Sequence, residues 1–441
     1  MATVSPFKGV LYNPEMIDNP GDVCTPPYDV ISEEERRYFY ERHDNNVVRL
    51  ILGPSLPTDT DLNNAHSRAA KYFNDWIEHG VLVQDHAPAV YLTSVEFPVE
   101  TQSVIRYGII ARVRLEPFEK KIILPHEKTF SKVKSERLDL MKKCHVNFSP
   151  VFAIYPDDTN TILDRLKAHV SQQRPDMDFS DHQGLQHRMW RVVDNEIHRY
   201  VENAMRNKKL YIADGHHRYE TALNYRNWRA EQDAGFSESH PANHVMMYMS
   251  CMDEPGLTIL PAHRLLTGIG DIDVSSFLRK AEDYFDIIDF PFGGGTEASA
   301  QAAFQKTLKA RHSSHAVGVC IRNIPHGYLL IAKDGIMDSL FPEMPDCLRR
   351  LDVTVLTHLV FMNLLGFESE HLDDEKRIRY TSNTETALAA VQSGACDAAF
   401  ILNHTKIEHV KEVAENGLIM PGKSTYFYPK VITGQVMYKL Y

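Results

Sequence analysis

The stretch KLYIADGHHRYETA, residues 209–222, brings several chemically active side chains to one turn. An apolar run ends at Asp214 and Gly215, and His216, His217 and Arg218 begin an amphipathic pattern. A strand that passes through a tight turn into a helix aims the free N–H groups of the first helical turn at one point. Because the Arg218 guanidinium adds a formal positive charge there, the stretch predicts an anion site that suits phosphate.

The carboxylate of Asp214 would repel a bare phosphate. Its presence is explained if Asp214 holds a Mg²⁺ ion that the phosphate carries in, or if it accepts the proton of a hydroxyl nucleophile. The alternative is that Asp214 caps the helix and the histidines pack against their neighbours. Zinc is disfavoured, because adjacent residues on a helix point about 100° apart and cannot chelate one ion together.

A second stretch, GLIMPGKST at residues 417–425, matches the P-loop pattern G-x-x-x-x-G-K-[ST]. The flanks predict a helix before it and a strand after it, which is the reverse of a P-loop. We therefore interpret it as a loop whose Lys423, Ser424 and Thr425 reach a phosphate with their side chains. The alternative is a C-terminal loop with a solvated lysine.

Two further stretches are candidate walls of the site. The loop LPHEKTF places His126, Glu127, Lys128 and Thr129 directly after an apolar run, and Arg137 follows in a helical segment. Donors, acceptors and cations at the end of a strand are typical of a site rim. The alternatives are a solvated loop and an arginine that pairs with a surface carboxylate.

Polar side chains in two other segments are candidates for binding the substrate. Asn147 and Ser149 precede a proline bend and could donate to a substrate carboxylate, or simply close a turn. His263 and Arg264 leave a strand together, and an arginine in that place suits a carboxylate or a phosphate. An ordinary hydrogen-bonded pair is the alternative for these two residues.

Elements that position these side chains alternate along the chain. Segments with helical periodicity, such as SEEERRYFYER and HRYETALNYRNWRAE, alternate with strand-like runs such as VIRYGIIARVRL and HVMMYMSCM. The segment LDVTVLTHLVFMNLLGF predicts one long helix. We predict a mixed α/β (α+β) protein with a core domain over residues 1–266 and a second α/β domain over residues 267–441.

Composition excludes several classes of protein. With 43% hydrophobic residues and a formal net charge of −11, the chain is an ordinary globular protein without the basic face of a nucleic-acid binder. No run approaches the roughly 20 apolar residues of a membrane span, and the N-terminus lacks a signal-peptide pattern. Six scattered cysteines without a C-x-x-C pair indicate buried, reduced thiols. We expect a cytoplasmic protein with no membrane or nucleic-acid partner.

The chain also carries, in order, CTPPYDVIS, LPHEKTF, ERLDLMKK, NFSPVFAIYP, QHRMWRV, IADGHHRYETA, LPAHRLL, LDVTVL and MPGKSTYFYPK. Together these segments resemble a cytosolic family described as a domain of unknown function and as ParB-like, and the DGHHR turn resembles the G-x-H-R turn of the ParB/sulfiredoxin superfamily. The resemblance implies a ParB/sulfiredoxin-like core. Relatives in that superfamily include DNA-partition proteins, sulfiredoxins and kinases of free L-serine. The turn here has no cysteine for sulfiredoxin chemistry, and a partition protein needs a helix-turn-helix domain and a basic face.

The resemblance to the serine kinases places residues 214–218 at the donor phosphates and implies an acidic base early in the chain. Asp29 in PPYDV and Glu127 are the alternatives for that base. The predicted catalytic set is therefore Asp29, Glu127, Asp214 and His217, with Asp214 as the Mg²⁺ ligand.

The sequence thus predicts a phosphotransferase, a kinase of free L-serine or of a similar small hydroxy acid. A site that contacts only the phosphate groups does not distinguish among ATP, ADP and pyrophosphate as donors. The second domain is expected to contribute the MPGKST loop, and a homodimer is compatible with the sequence. The alternative function is a ParB-like, nucleotide-binding regulatory protein with little turnover.

Overall fold

A computed structural model describes residues 1–99, 102–129, 131–292, 297–372, 374 and 376–441. The chain forms two compact units. The first contains Met1–Thr258 and Pro429–Tyr441, and the second contains Ile259–Tyr428. The assignment of separate functional domains to residues 1–266 and 267–441 stays a prediction.

The first unit is built on a mixed sheet. Its strands before the division are β1 (Val4–Ser5), β2 (Val10–Tyr12), β3 (Leu82–Gln84), β4 (Val90–Val99), β5 (Gln102–Arg114), β6 (Ile123–Leu124), β7 (Val146–Asn147), β8 (Val151–Tyr155), β9 (Met177–Ser180), β10 (Gln186–Val192), β11 (Leu210–Asp214) and β12 (His244–Cys251). The large sheet has the order β6-β11-β8-β12-β5-β4-β10-β9, with β1 paired to β5. Strand β11 runs parallel to β6 and antiparallel to β8.

Helices cover this sheet. They are α1 (Glu33–Arg42), α2 (Val48–Ile51), α3 (Ala65–Glu78), α4 (Ser131–Cys144), α5 (Thr161–Val170), α6 (Asn195–Arg206) and α7 (His216–Gln232). Buried residues of α5, α6 and α7, such as Leu166, Val201 and Tyr219, share one apolar cluster with Leu210 and Ile212 of β11. This packing fixes α7 against the sheet and so fixes the turn between β11 and α7.

The second unit has a six-stranded sheet of its own. The strands that follow β12 are β13 (Thr258–Leu260), β14 (His263–Leu266), β15 (Phe285–Pro291), β16 (Ala316–Ile321), β17 (His326–Ala332), β18 (Ile378–Thr381), β19 (Ala398–Leu402), β20 (Tyr426–Tyr428) and β21 (Tyr438–Lys439). Strands β13 and β20 form a separate two-stranded sheet, and β21 pairs with β7 in the first unit. The sheet order is β15-β17-β16-β19-β14-β18, and neighbouring strands in it pair antiparallel.

The helices of the second unit are α8 (Val274–Ala281), α9 (Glu297–Ala310), α10 (Ile336–Leu340), α11 (Asp346–Arg349), α12 (Asp352–Val355), α13 (Ser369–Leu372), α14 (Thr384–Gln392) and α15 (Ile407–Glu415). The predicted long helix at LDVTVLTHLVFMNLLGF is present without a break over residues 352–364, and α12 passes after one turn into a π-helix over Leu356–Leu364. The mixed α/β class is confirmed.

Two expectations about the chain as a whole can be compared with the structure. All six cysteines are buried free thiols, as the sequence indicated. In the described part of the chain, no helix has both the length and the apolar character that crossing a bilayer requires.

Candidate functional site

The turn between β11 and α7 has the predicted order of strand, turn and helix. Gly215 is the N-cap residue of α7, with φ +87°, and no side chain in the described part of the chain caps this end of the helix. A β-carbon at Gly215 would lie 2.8 Å from Cζ of Arg218, because the Arg218 side chain folds back over the turn. Glycine is therefore required both by the backbone conformation and by the close approach of the guanidinium.

We expect Gly215→Ala to lower the free energy of unfolding by about 2–3 kcal/mol, from left-handed strain plus the displaced Arg218. Gly184→Ala is the matched control, since Gly184 has φ +80° and no atom lies within 4 Å of the position that its β-carbon would take. Urea denaturation should show a loss of only about 1–2 kcal/mol for the control. Equal losses in both variants would contradict a contact with Arg218.

Asp214 forms an ion cluster with two cations. Its Oδ2 accepts a hydrogen bond from Nη2 of Arg218, and its Oδ1 accepts one from Nζ of Lys430. Burial alone would raise the pKa of Asp214, but the charges of Lys430 and Arg218 outweigh burial and hold that pKa below its usual value. Asp214 is thus an ionised carboxylate with a cation on each oxygen.

This cluster does not fit the predicted metal role of Asp214. A Mg²⁺ ion needs a carboxylate oxygen that is free to coordinate it, and Arg218 and Lys430 already engage both oxygens. The described residues also contain no group of three or more His, Cys, Asp or Glu side chains arranged to hold a metal ion. We therefore assign no step to a metal bound at Asp214.

Arg218 links the turn to two other segments. Its Nη1 donates to the carbonyl of Pro150, and its Nη2 lies 4.0 Å from Oδ2 of Asp29. Asp29 is in the 3₁₀-helix Tyr28–Val30, and 39% of its side chain is exposed. Burial would lower the pKa of Arg218, but Asp214 and Asp29 raise it, so the guanidinium stays charged. The predicted carboxylate Asp29 and the predicted anion turn therefore lie together.

His216 and His126 form a buried, neutral pair. The backbone N–H of His126 donates to Nε2 of His216 at 3.3 Å, and the two rings meet edge to face with centroids 4.8 Å apart. Because Nε2 accepts, the proton of a neutral His216 is on Nδ1, which lies 3.5 Å from Oε2 of Glu127. Burial lowers the pKa of both rings to about 3. Neither ring adds formal charge at neutral pH.

The lowered pKa of His216 predicts a loss of stability on mild acidification. Below its unfolded pKa of 6.5, the unfolded chain binds a proton that the folded ring excludes, so stability falls by up to about 1.4 kcal/mol per pH unit for that proton. His216→Asn keeps an acceptor for His126 and should reduce the slope of unfolding free energy against pH between about pH 7.5 and about pH 5 by that one proton's share, while His126 keeps its own. His86→Asn, at an exposed position, should leave the slope unchanged.

The LPHEKTF loop lies beside the first turns of α7. The Thr129 hydroxyl donates to Oε1 of Glu220 at 2.6 Å, and Lys134 donates to the other oxygen of that carboxylate at 2.5 Å. Glu127 is 38% exposed, and Lys128 is exposed. The structure therefore brings the predicted rim residues of this loop to the N-terminal end of α7.

His217 is half-buried, on the same helical turn. Burial lowers its pKa, and the nearby carboxylates of Glu127, Asp29 and Glu220 oppose that shift. His217 is thus an imidazole that lies near both candidate bases, Asp29 and Glu127. Its predicted catalytic role stays a prediction.

Arg218 also lines a cavity of about 60 Å³. Its polar lining consists of Tyr28, Arg137, Asn147, Ser149, Arg218 and Thr221. Its apolar lining consists of Ile51, Leu140, Met141, Val146, Phe148 and Val245. The predicted residues Arg137, Asn147 and Ser149 thus share one cavity with Arg218. The volume suits a small group.

The remaining predicted site residues belong to the second unit, where they contact each other and their neighbours. Arg264 is buried, stacks 5.0 Å over Tyr380, and donates to the carbonyls of Gly422 and Lys423. Burial lowers its pKa to about 10. Arg264 therefore holds the GKST loop in place.

The neighbours of Arg264 are also internally bonded. His263 accepts at Nδ1 from the Leu402 N–H and so donates from Nε2 to Thr384 at 3.0 Å. The Ser424 hydroxyl donates to the carbonyl of Pro421. The order of α15, loop and β20 confirms that GLIMPGKST is not a P-loop. Lys423 and Thr425 line a second-unit cavity of about 280 Å³, and a phosphate-binding role for this loop stays a prediction.

Sequence reasoning missed Lys430, Tyr28 and Thr221. Lys430 neutralises Asp214 from a segment far along the chain, and the only local signal is a lysine after Pro429 in a strand-like stretch. Tyr28 precedes the predicted Asp29 and stacks with Arg137 at 4.2 Å. Thr221 follows the DGHHR turn by one helical turn and looks like an ordinary helix residue.

Comparison with protein families identifies the chain. The family described as "Protein of unknown function (DUF1015)" matches residues 4–354. The chain belongs to this family. No curated protein matches the DUF1015 chain.

Solved structures show remote likenesses to the DUF1015 chain. A free serine kinase mutant in complex with ADP is 12% identical and covers 75% of this chain and 91% of its own, with a TM-score of 0.36. A conserved hypothetical protein from Pyrococcus furiosus is 13% identical over 75% of this chain and 95% of its own, with a TM-score of 0.34. SbnI from Staphylococcus aureus, with a C-terminal truncation, is 9% identical over 74% and 86%, with a TM-score of 0.31. At these TM-scores the likenesses carry no argument about activity.

Proposed function

We propose that the first unit is a phosphotransferase that phosphorylates the hydroxyl group of free L-serine or of a similar small hydroxy acid. ATP, ADP and pyrophosphate are the candidate donors. The supporting observation is a convergence at the uncapped N-terminus of α7. Asp29 and Glu127, from two distant segments, meet the Asp214–Arg218 turn there.

The donor phosphates are assigned to the N-terminal turn of α7. The backbone N–H groups of that turn and the Arg218 guanidinium supply positive charge without any rearrangement of the fold. Asp214 does not cancel this arrangement, because Lys430 offsets its charge and leaves the cluster with one net positive charge. Asp29 and Glu127 add negative charge beside the turn, so the positive environment offered to an anion is local to the N–H groups and to Arg218.

In the proposed reaction, the acceptor hydroxyl oxygen attacks the terminal phosphorus of the donor. The bond from that phosphorus to the bridging oxygen breaks, and the rest of the donor leaves with the electron pair of that bond. The hydroxyl proton passes to a carboxylate. Asp29 and Glu127 are the candidates, because both are partly exposed and both lie at the turn.

The test is a direct search for transfer. Purified protein with Mg²⁺ is incubated with each donor and with L-serine, glycolate or L-lactate, and new phosphate esters are followed by phosphorus NMR. We expect one donor and acceptor pair to give an ester, and Arg218→Ala to abolish it. Asp158→Asn, at an exposed carboxylate, is the control that should keep full activity.

Nucleotide binding without any ester for any acceptor would favour the regulatory alternative over the phosphotransferase. Transfer that persists in a folded Arg218→Ala protein would show that the turn is not the donor site. Circular dichroism of each variant separates a lost site from a lost fold.

A further inference from the structure

Three residues that line the cavity beside Arg218 each carry a buried polar atom without a hydrogen-bond partner among the described residues. Within the described part of the chain, Nε of Arg137, Nε of Arg218 and Oγ1 of Thr221 have no hydrogen-bond partner. All three residues line this cavity, and their exposures are 8%, 9% and 1%. Leaving a buried donor unpaired costs free energy, so three in one small cavity indicate a missing acceptor.

The charge of the lining identifies that acceptor as an anion. Two guanidinium groups line the cavity, and among the described residues their carboxylate partners, Glu136 for Arg137 and Asp214 for Arg218, lie outside its lining. Arg137 is held in place by a hydrogen bond from Nη1 to the Ile51 carbonyl at 2.7 Å and by the ring of Tyr28. Arg218 is held by Pro150 and Asp214. Both arginines are therefore fixed before any ligand arrives.

The rest of the lining limits the size and the polarity of the ligand. Leu140, Met141, Phe148 and Val245 form an apolar wall opposite the donors. A volume of about 60 Å³ matches a small planar anion with a short carbon chain. A carboxylate is planar and accepts hydrogen bonds at two oxygens, which matches guanidinium and hydroxyl donors.

We propose that this cavity binds the carboxylate of a small organic acid, with the short carbon chain of the acid against the apolar wall. The proposal builds on the proposed function, because Arg218 lies both at the α7 turn and in the cavity, and the bound acid would be the acceptor. It makes Arg137 and Thr221 specificity residues. An acceptor that lacks the carboxylate is expected to be rejected, since the buried donors then stay unpaired.

Thr221→Val gives the sharpest test, because valine has the shape of threonine and removes a hydroxyl that has no hydrogen-bond partner among the described residues. Ligand-observed NMR without any phosphoryl donor compares propionate with propionamide, and L-serine with L-serinamide. We expect the two carboxylates to bind wild-type protein and the two amides to bind at least about tenfold more weakly. Thr221→Val should weaken carboxylate binding about tenfold, with the melting temperature unchanged or raised.

Thr354→Val is the matched control. Thr354 also has a buried hydroxyl without a partner among the described residues, but it belongs to the second unit and does not line this cavity. Carboxylate binding should be unaffected in this variant. Arg137→Lys keeps the charge but loses Nε, and it should weaken binding as well.

Unchanged carboxylate binding in a folded Thr221→Val protein would overturn the proposal. Equal binding of the acids and of their amides would also overturn it. So would inorganic phosphate binding more tightly than propionate, if Thr221→Val also abolished that phosphate binding. The two proposals fail separately. If the acids bind but no phosphoryl group is transferred, only the proposed phosphotransferase activity is refuted. If phosphoryl transfer occurs and is unchanged in Thr221→Val, only the proposed acid pocket is refuted.

Discussion

Asp214→Asn is expected to lower the free energy of unfolding by about 3–5 kcal/mol, the range for removing one partner of a buried ion pair. The amide leaves Arg218 and Lys430 close together with no carboxylate between them. The exposed fractions of the three side chains are only 9–14%, so water screens the two charges poorly. The same change should abolish phosphoryl transfer, because it releases Arg218 from the turn.

The measurement is urea denaturation at neutral pH. Because the pKa of Asp214 is lowered in the folded state, its contribution is fully present well above the ordinary carboxyl pKa and is lost as pH falls below it. The difference between wild type and Asp214→Asn should therefore be constant from about pH 6 to about pH 8. Asp158→Asn, at an exposed carboxylate, should change stability by less than about 0.5 kcal/mol.

A double variant tests whether the charge of Lys430 causes the loss. Adding Lys430→Met to Asp214→Asn removes one of the two stranded cations, so the double variant should be more stable than the sum of the two single changes by at least about 1 kcal/mol. Simple additivity would contradict an ion cluster at Asp214.

The sequence was sufficient to predict the α7 turn because its signals are local. The turn is indicated by an apolar run that ends at Asp214, by a glycine that tolerates a positive φ and by an amphipathic pattern after it. All three signals lie within about fifteen neighbouring positions. The convergence of Glu127 and Asp29 on that turn came from a resemblance, not from local pattern. Their contacts depend on which strands pair, and the parallel pairing of β6 with β11 brings the Glu127 loop beside α7.

The contacts of Asp214 and of the GKST loop could not be predicted from the sequence, because they depend on partners that only the fold supplies. An aspartate that precedes a helix can cap it, bind a metal or pair with a lysine, and the choice depends on the partner that the fold supplies. Lys430 is that partner, and it is 216 positions away. The GKST loop shows the same limit, since Ser424 bonds to Pro421 within its own loop. The local sequence alone cannot distinguish a loop that is bonded to itself from a loop that binds phosphate.

The choice between the two candidate bases is the second large prediction. Asp29 lies 4.0 Å from the guanidinium of Arg218, which lines the proposed acid pocket, whereas Glu127 faces His216, which does not line it. An acceptor held by Arg218 therefore presents its hydroxyl nearer to Asp29. We expect Asp29→Asn to lower kcat by about 10²–10⁴-fold with little change in KM for the acid.

Glu127→Gln serves as the paired variant, and it should reduce kcat by less than about tenfold, since it removes a neighbour of His216 and not the proton acceptor. Glu119→Gln, at an exposed position outside the site, is the control for a lost carboxylate. A large loss of kcat in Glu127→Gln with near-normal Asp29→Asn would transfer the base to Glu127. If both variants keep kcat within about threefold of wild type, general-base catalysis by either carboxylate is excluded, since it typically contributes at least about 10²-fold. The α7 turn would then act by positioning and charge alone.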